Sequence, residues 1–157
     1  MVNNGSIQVP SAPPASISSD IIQLMKLQVG VKILLKNTQG KYLLLHRSSK
    51  KYRNTKGSWD IPGGRIKVGT KLIDNLKREI KEETGLHLKN TPRLIAAQDI
   101  LRVKGKHVVR LTYEGIAKGK VKLDRSENDD YRWLSKNELK KLPDLDSYLK
   151  KLFMSRP

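Results

Sequence analysis

Cysteine is absent from the sequence, which excludes a disulfide framework and any cysteine-ligated zinc site. No run approaches the roughly 18 apolar residues of a membrane-spanning helix, and the N-terminus has no basic stretch followed by an apolar one. A soluble, cytoplasmic protein with no membrane partner is the expectation. Histidine is scarce, and His46, His87 and His107 lie too far apart to form a close-spaced metal motif. A bound metal would therefore be held mainly by oxygen. Acidic residues are outnumbered as well, 15 Asp and Glu against 32 Lys and Arg, giving a net charge of +17. Such an excess says nothing about fold, but its field draws anionic partners, and phosphate-bearing ligands suit it. It equally describes a solvated, lysine-rich surface kept soluble by repulsion.

The 157 residues are enough for one domain with a real core. Residues 1–25 read as a flexible leader: they are rich in Ser, Pro, Asn and Ala, and the first basic residue of the chain is Lys26. The domain is expected over residues 26–157. Leu27, Val29, Val31, Ile33 and Leu35 alternate with other residues at the strand period. After the turn-like Asn37-Thr38-Gln39-Gly40, Tyr42 to Leu45 reads as a second strand, and the two are expected to pair as a hairpin. A basic loop, Ser48 to Lys56, leads into GSWDIPGG.

From Thr70 to Gly85 the apolar spacing becomes helical, with Leu72, Ile73, Leu76 and Ile80 on one side. Gly85 supplies a left-handed helix stop. Segments around Leu94 to Val103 and His107 to Ile116 predict a second hairpin about Lys104-Gly105-Lys106, with Val109, Leu111 and Tyr113 alternating along it. Short strands follow around Val121 to Leu123 and Tyr131 to Leu134. Ser135-Lys136-Asn137-Glu138 is a capping box, and Leu145, Tyr148, Leu149 and Leu152 predict a last helix. Strands, helix, strands and helices in that order imply a mixed α/β or α+β class.

The chemistry concentrates in GGRIKVGTKLIDNLKREIKEETGL. On a helix Glu79, Glu82 and Glu83 stand at i, i+3 and i+4, so three carboxylates crowd neighbouring positions on one face. A hard divalent cation would relieve their repulsion and use the same oxygens as ligands. A Lys/Glu-rich helix is also a common solvated face, with Arg78 pairing Glu82. Pro62-Gly63-Gly64 distinguishes this segment, because its backbone can turn sharply and approach a ligand closely.

At fixed spacing Gly64, Arg78-Glu79-Ile80, Glu82-Glu83 and Gly85-Leu86 match the box GX5EX7REUXEEXGU, and on these residues the chain resembles the Nudix hydrolase family. The preceding GSWDIPGG is similar to the strand that enters the box in MutT-type members. The resemblance implies a mixed β-sheet sandwiched between helices. It also implies a Mg2+-dependent enzyme, with Mn2+ as a substitute, cleaving a pyrophosphate bond in a nucleoside diphosphate-linked substrate. By position it makes Glu79, Glu82 and Glu83 metal ligands and catalytic residues, with the Gly63 carbonyl as a backbone ligand. Glu127, on a loop before a strand, becomes a general base or further ligand, against its reading as an exposed loop acid. Arg47 and Arg53 become contacts to substrate phosphate, and Trp59 either shapes a base pocket or belongs to the core.

Two positions depart from the family pattern. Thr70 replaces the first box Glu, where its hydroxyl can cap the following helix, and Lys67 stands where relatives commonly carry an acid. Together with the charge, these departures define an alternative: a catalytically weak Nudix-fold module that binds RNA or another polyanion. The basic stretch Lys50, Lys51, Arg53 and Lys56 is compatible with an RNA backbone, but it lacks an aromatic platform for stacking bases.

Overall fold

The computed structural model describes residues 25–53 and 58–155. The expected leader lies outside these residues except for Met25, and so do Lys56 and Gly57. In chain order the elements are β1 (Lys26–Lys36), β2 (Tyr42–Arg47), β3 (Trp59–Asp60), β4 (Gly63–Arg65) and α1 (Leu72–Thr84). They continue with β5 (His87–Leu88), β6 (Arg93–Ile100), β7 (Lys106–Lys118), β8 (Asn128–Leu134), α2 (Lys136–Lys141) and α3 (Ser147–Met154).

Alternating side chains of β1 and β2 supply both faces of one sheet. Val31, Ile33, Leu35, Leu43 and Leu45 point to α1 and pack with Leu76, Ile80 and Leu86. Leu34 and Leu44 point the other way, joining Trp59 and Ile61 against Leu139, Leu149, Leu152 and Phe153 of α2 and α3. Each fully buried Leu or Ile contributes roughly 1.5–3 kcal/mol of burial. The result is the expected mixed sheet between helices.

The expected β1–β2 hairpin is corrected: these strands share one register pair, Lys36 with Tyr42, and then diverge. Both edges of β1 are occupied by other strands. One carries β7 in a parallel ladder from Lys26–Lys106 to Lys36–Ile116, and the other carries β4. Strand β2 instead pairs with β8 and β3. The β6–β7 hairpin is as expected, antiparallel and turning at Gly105 with φ 73°. In β7, however, Val108, Arg110 and Thr112 are buried as well as Tyr113, because helices cover both faces of the sheet.

No strand forms at residues 121–123. Instead the Lys122 amide donates to the Thr84 carbonyl and the Asp124 amide to that of Glu83, so this segment satisfies the carbonyls at the end of α1. Gly85 ends α1 with φ 69° as expected. The start of α1 differs from expectation. Lys71 is the N-cap residue and makes no side-chain cap, and the Thr70 hydroxyl does not supply one. The buried Asn75 ties the entry together, accepting from the Lys67 amide and donating to the Thr70 and Lys71 carbonyls. The Ser135–Glu138 capping box is present at α2.

Candidate active site

Helix α1 crosses β4 so that its carboxylates meet two consecutive glycines. Gly63 has φ 134°, and a Cβ there would stand 2.1 Å from the Val31 carbonyl oxygen. Only glycine fits that approach of β4 to β1. The Gly63 amide, pointing to the helix, donates to Glu83 Oε2 at 2.7 Å. At Gly64 a Cβ would lie 2.7 Å from Glu79 Oε1, so the Glu79 carboxylate rests on bare backbone. Glu79 and Glu83 are thus gathered at the Gly63–Gly64 turn.

Glu82 is placed differently. Its side chain is 55% exposed and paired with Arg78 at 2.9 Å, while Arg78 also holds Glu79 at 2.7 Å. Arg78 therefore orients two of the three box acids. Among the described residues, no three His, Asp or Glu side chains form a ready-made metal cluster. The donor set at the turn nonetheless fits a hard divalent ion, since the gathered Glu79 and Glu83 carboxylates offer oxygen ligands. Burial pushes the Glu83 carboxyl up to about 7, reinforced by the nearby Glu79 and Asp60 charges and opposed by Lys32 and the Gly63 amide. A cation placed there would favour the ionised form.

Facing the turn is a cleft of about 310 Å³, lined among others by Lys32, Arg47, Tyr52, Asp60, Glu83 and Glu127. Asp60 is its fixed point. Its buried carboxylate meets Lys32 at 3.0 Å, Arg47 at 2.8 Å and Arg110 at 3.3 Å. Burial opposes its ionisation, yet the Lys32, Arg110 and Arg47 charges hold it well below the usual carboxylate range. Lys32 also donates to the Ile61 carbonyl at 2.9 Å, which pins its ammonium at the cleft.

Glu127 lines the same cleft from the loop before β8. Tyr52 Oη donates to its carboxylate at 2.6 Å and Lys51 Nζ binds the other oxygen. These two partners outweigh burial and hold its pKa below the ordinary glutamate value. Asn128, next in the chain, is buried at the cleft, and its Nδ2 has no partner among the described residues.

The remaining expected contacts separate. Arg47 lines the cleft, whereas Arg53 is an exposed turn residue that does not. Trp59 is 7% exposed and belongs to the core under α2 and α3, with His46 edge-on at 4.9 Å and Arg132 over its ring at 4.6 Å. It does not line the cleft. Lys32, Tyr52, Asp60 and Asn128 also line the cleft, with Arg110 bonded to Asp60 behind it, and the motif spacing singles out none of them. Lys32 and Arg110 carry one sequence signal, a cation set among the apolar positions of β1 and β7.

A mixed sheet between helices, with two helix carboxylates closing on a glycine turn, defines a class of α/β/α sandwich with an oxygen-lined site. The chain belongs to the NUDIX domain family, whose model matches residues 26–154. The MutT protein of Methanosarcina mazei Go1 has a similar structure, with a TM-score of 0.69 and 27% identity over 82% of this chain and 91% of that one. An m7GpppN-mRNA hydrolase of Danio rerio, NUDT17, is 43% identical over 60 residues, 38% of this chain and 20% of that protein. An RNA pyrophosphohydrolase of Psychrobacter cryohalolentis is 35% identical over 77 residues, 49% of this chain and 41% of that protein. The chain thus spans a fifth of the NUDT17 relative's length, and under half of the second. Members of the family generally use a divalent metal. No helix among the described residues is long and apolar enough to cross a membrane.

Proposed function

We propose that this chain is a Mg2+-dependent pyrophosphohydrolase acting on a nucleoside diphosphate-linked substrate, with Mn2+ as a substitute ion. The observation that carries the reading is the meeting of Glu79 and Glu83 at the Gly63–Gly64 turn beside a cationic cleft. Glu79, Glu83 and the Gly63 carbonyl would hold the ion, and Glu82, one turn from Glu79 and open to solvent, would join them. When bound, the ion supplies neutralisation of phosphate charge and acidification of water.

The chain's own residues do the rest. Lys32 and Arg47 bind diphosphate oxygens, both held in place by Asp60. Glu127, kept ionised by Lys51 and Tyr52, accepts a proton from the attacking water or orients it. Asn128 lines the same space, with a buried amide donor left unpartnered among the described residues. Arg78 orients Glu79 and Glu82 and touches no substrate. Names carried by the relatives, mRNA hydrolase and RNA pyrophosphohydrolase, agree with a substrate containing a nucleotide pyrophosphate bond.

The test is release of phosphate or pyrophosphate from a panel of nucleoside triphosphates, ADP-ribose, dinucleoside polyphosphates and 5′-triphosphorylated RNA, with and without Mg2+. Metal-dependent turnover of at least one supports the hydrolase. No turnover of any, with tight and strongly salt-dependent RNA binding, would instead support a binding module, the reading that Thr70, Lys67 and the +17 charge favour.

A further inference from the structure

Beyond the cleft the floor continues into a recess of about 160 Å³ that shares Lys32, Arg47, Asp60, Gly64 and Arg65 with it. The recess adds Arg102, Lys106 and Arg110, together with the Asp146 carboxylate and an apolar wall of Ile100, Val103 and Val108. Six cationic side chains there face two carboxylates, and both carboxylates are already engaged. Asp60 is shared among Lys32, Arg47 and Arg110, and Asp146 is bound to Arg110 at 2.7 Å while accepting from the Leu149 amide as the N-cap of α3.

Arg110 is the built part of this site. It is 3% exposed, two of its nitrogens are fixed by Asp60 and Asp146, and its Nε has no partner among the described residues. Arg65 stands over the same space with one long hydrogen bond, to Gln28 at 3.4 Å. Arg102 is positioned at the rim by stacking on Tyr148 at 5.3 Å and by Asp146 at 3.9 Å. Like charges held this close, with their carboxylates saturated, favour the entry of an anion.

We infer that this recess binds a second phosphate group of the substrate, one lying beyond the diphosphate that is cleaved. The inference rests on the hydrolase reading for the position of the scissile diphosphate in the adjoining cleft. A phosphate here has two chemical sources: a longer 5′-polyphosphate chain, or an ester on the ribose, as at the 3′ position of a nucleotide or oligonucleotide. Arg102 and Lys106 determine specificity for it, while Arg110 forms the floor.

Equilibrium binding by calorimetry tests this without requiring turnover. The probes are ADP, 3′-phospho-ADP and adenosine 5′-tetraphosphate, measured at one fixed ionic strength and without divalent cation. The wild-type chain is expected to bind at least one of the latter two about tenfold or more tightly than ADP. The Arg102→Ala/Lys106→Ala double variant, altered at two exposed positions, should lose most of that ratio. A control that removes two charges elsewhere, Lys140→Ala/Lys141→Ala, should keep it. Which probe gains identifies the phosphate source. The inference is overturned if neither probe gains over ADP, or if both double variants lower the ratio equally, since the effect would then be the general field of the protein. Failure of the hydrolase reading is separate, showing as no turnover across the substrate panel whatever these ratios are.

Discussion

The two sides of the cleft are built in opposite ways. On one side a single helix presents Glu79 and Glu83, one turn apart, to one glycine turn, with Glu82 between them turned to solvent. On the other, Lys32, Arg47 and Asp60 arrive from β1, β2 and β3, backed by Arg110 of β7, and they meet only because those strands lie side by side in the sheet. The carboxylate side depends on local periodicity and is indifferent to much of the fold. The cationic side depends on tertiary register, so its integrity and that of the fold are one property. Damage should therefore cost stability when made at Asp60 and cost chemistry when made in the helix.

The largest expected effect breaks the cationic side. Asp60→Asn leaves Lys32 and Arg47 without their carboxylate and Arg110 with only one of its two, a loss of about 3–5 kcal/mol if it resembles other broken buried pairs. Denaturant unfolding measures it, and a loss below about 1 kcal/mol would show that the network does not hold the sheet. On the carboxylate side the sign reverses. The Glu83 carboxyl is pushed up to about 7 by burial, so the folded chain holds that proton more tightly than the unfolded chain does. The resulting penalty is absent below pH 4.5, grows between pH 4.5 and 7, and is constant above. In the absence of divalent ions, Glu83→Gln should be more stable than wild type by on the order of 2–3 kcal/mol at pH 8, with the gap closing towards about pH 4.5. A melting-temperature difference independent of pH would contradict this.

A smaller effect sharpens the role of the glycine turn. Gly64→Ala places a methyl group where the Glu79 carboxylate rests, and that flexible side chain must swing away. We expect a roughly 10- to 100-fold fall in kcat/KM, about 1.4–2.7 kcal/mol, with little change in unfolding free energy. Equal losses of both would place Gly64 in the framework and not at the ion. The smallest effect is at Thr70, which makes no side-chain cap and adjoins the helix start. Thr70→Glu should change stability by less than about 0.5 kcal/mol and preserve or raise turnover. A large drop in activity would assign Thr70 a role of its own.

The same contrast explains which features are legible in the amino-acid order and which are not. The carboxylate helix, its Gly85 stop and the α2 capping box are written in contiguous spacing, and each appears where the pattern puts it. The expectation of a β1–β2 hairpin fails because adjacency in sequence does not show that β7 and β4 occupy both edges of β1. Residues 121–123 alternate like a strand but bond to the end of α1. Arg110 is the least legible. It sits in β7 as a polar residue between valines and leucine, and only the closure of α3 over that face turns it into a buried cation.

Central to this account is that the gathered carboxylates at Gly63–Gly64 perform the reaction, and the most direct measurement is Mg2+-dependent turnover of the best panel substrate by wild type and Glu83→Gln side by side. The variant retains an oxygen for the Gly63 amide but cannot carry the charge. The account predicts a folded variant whose kcat falls roughly 100- to 1000-fold, the scale of losing a preorganised charge partner at a reacting centre. Turnover within about threefold of wild type, about 0.7 kcal/mol, would contradict it.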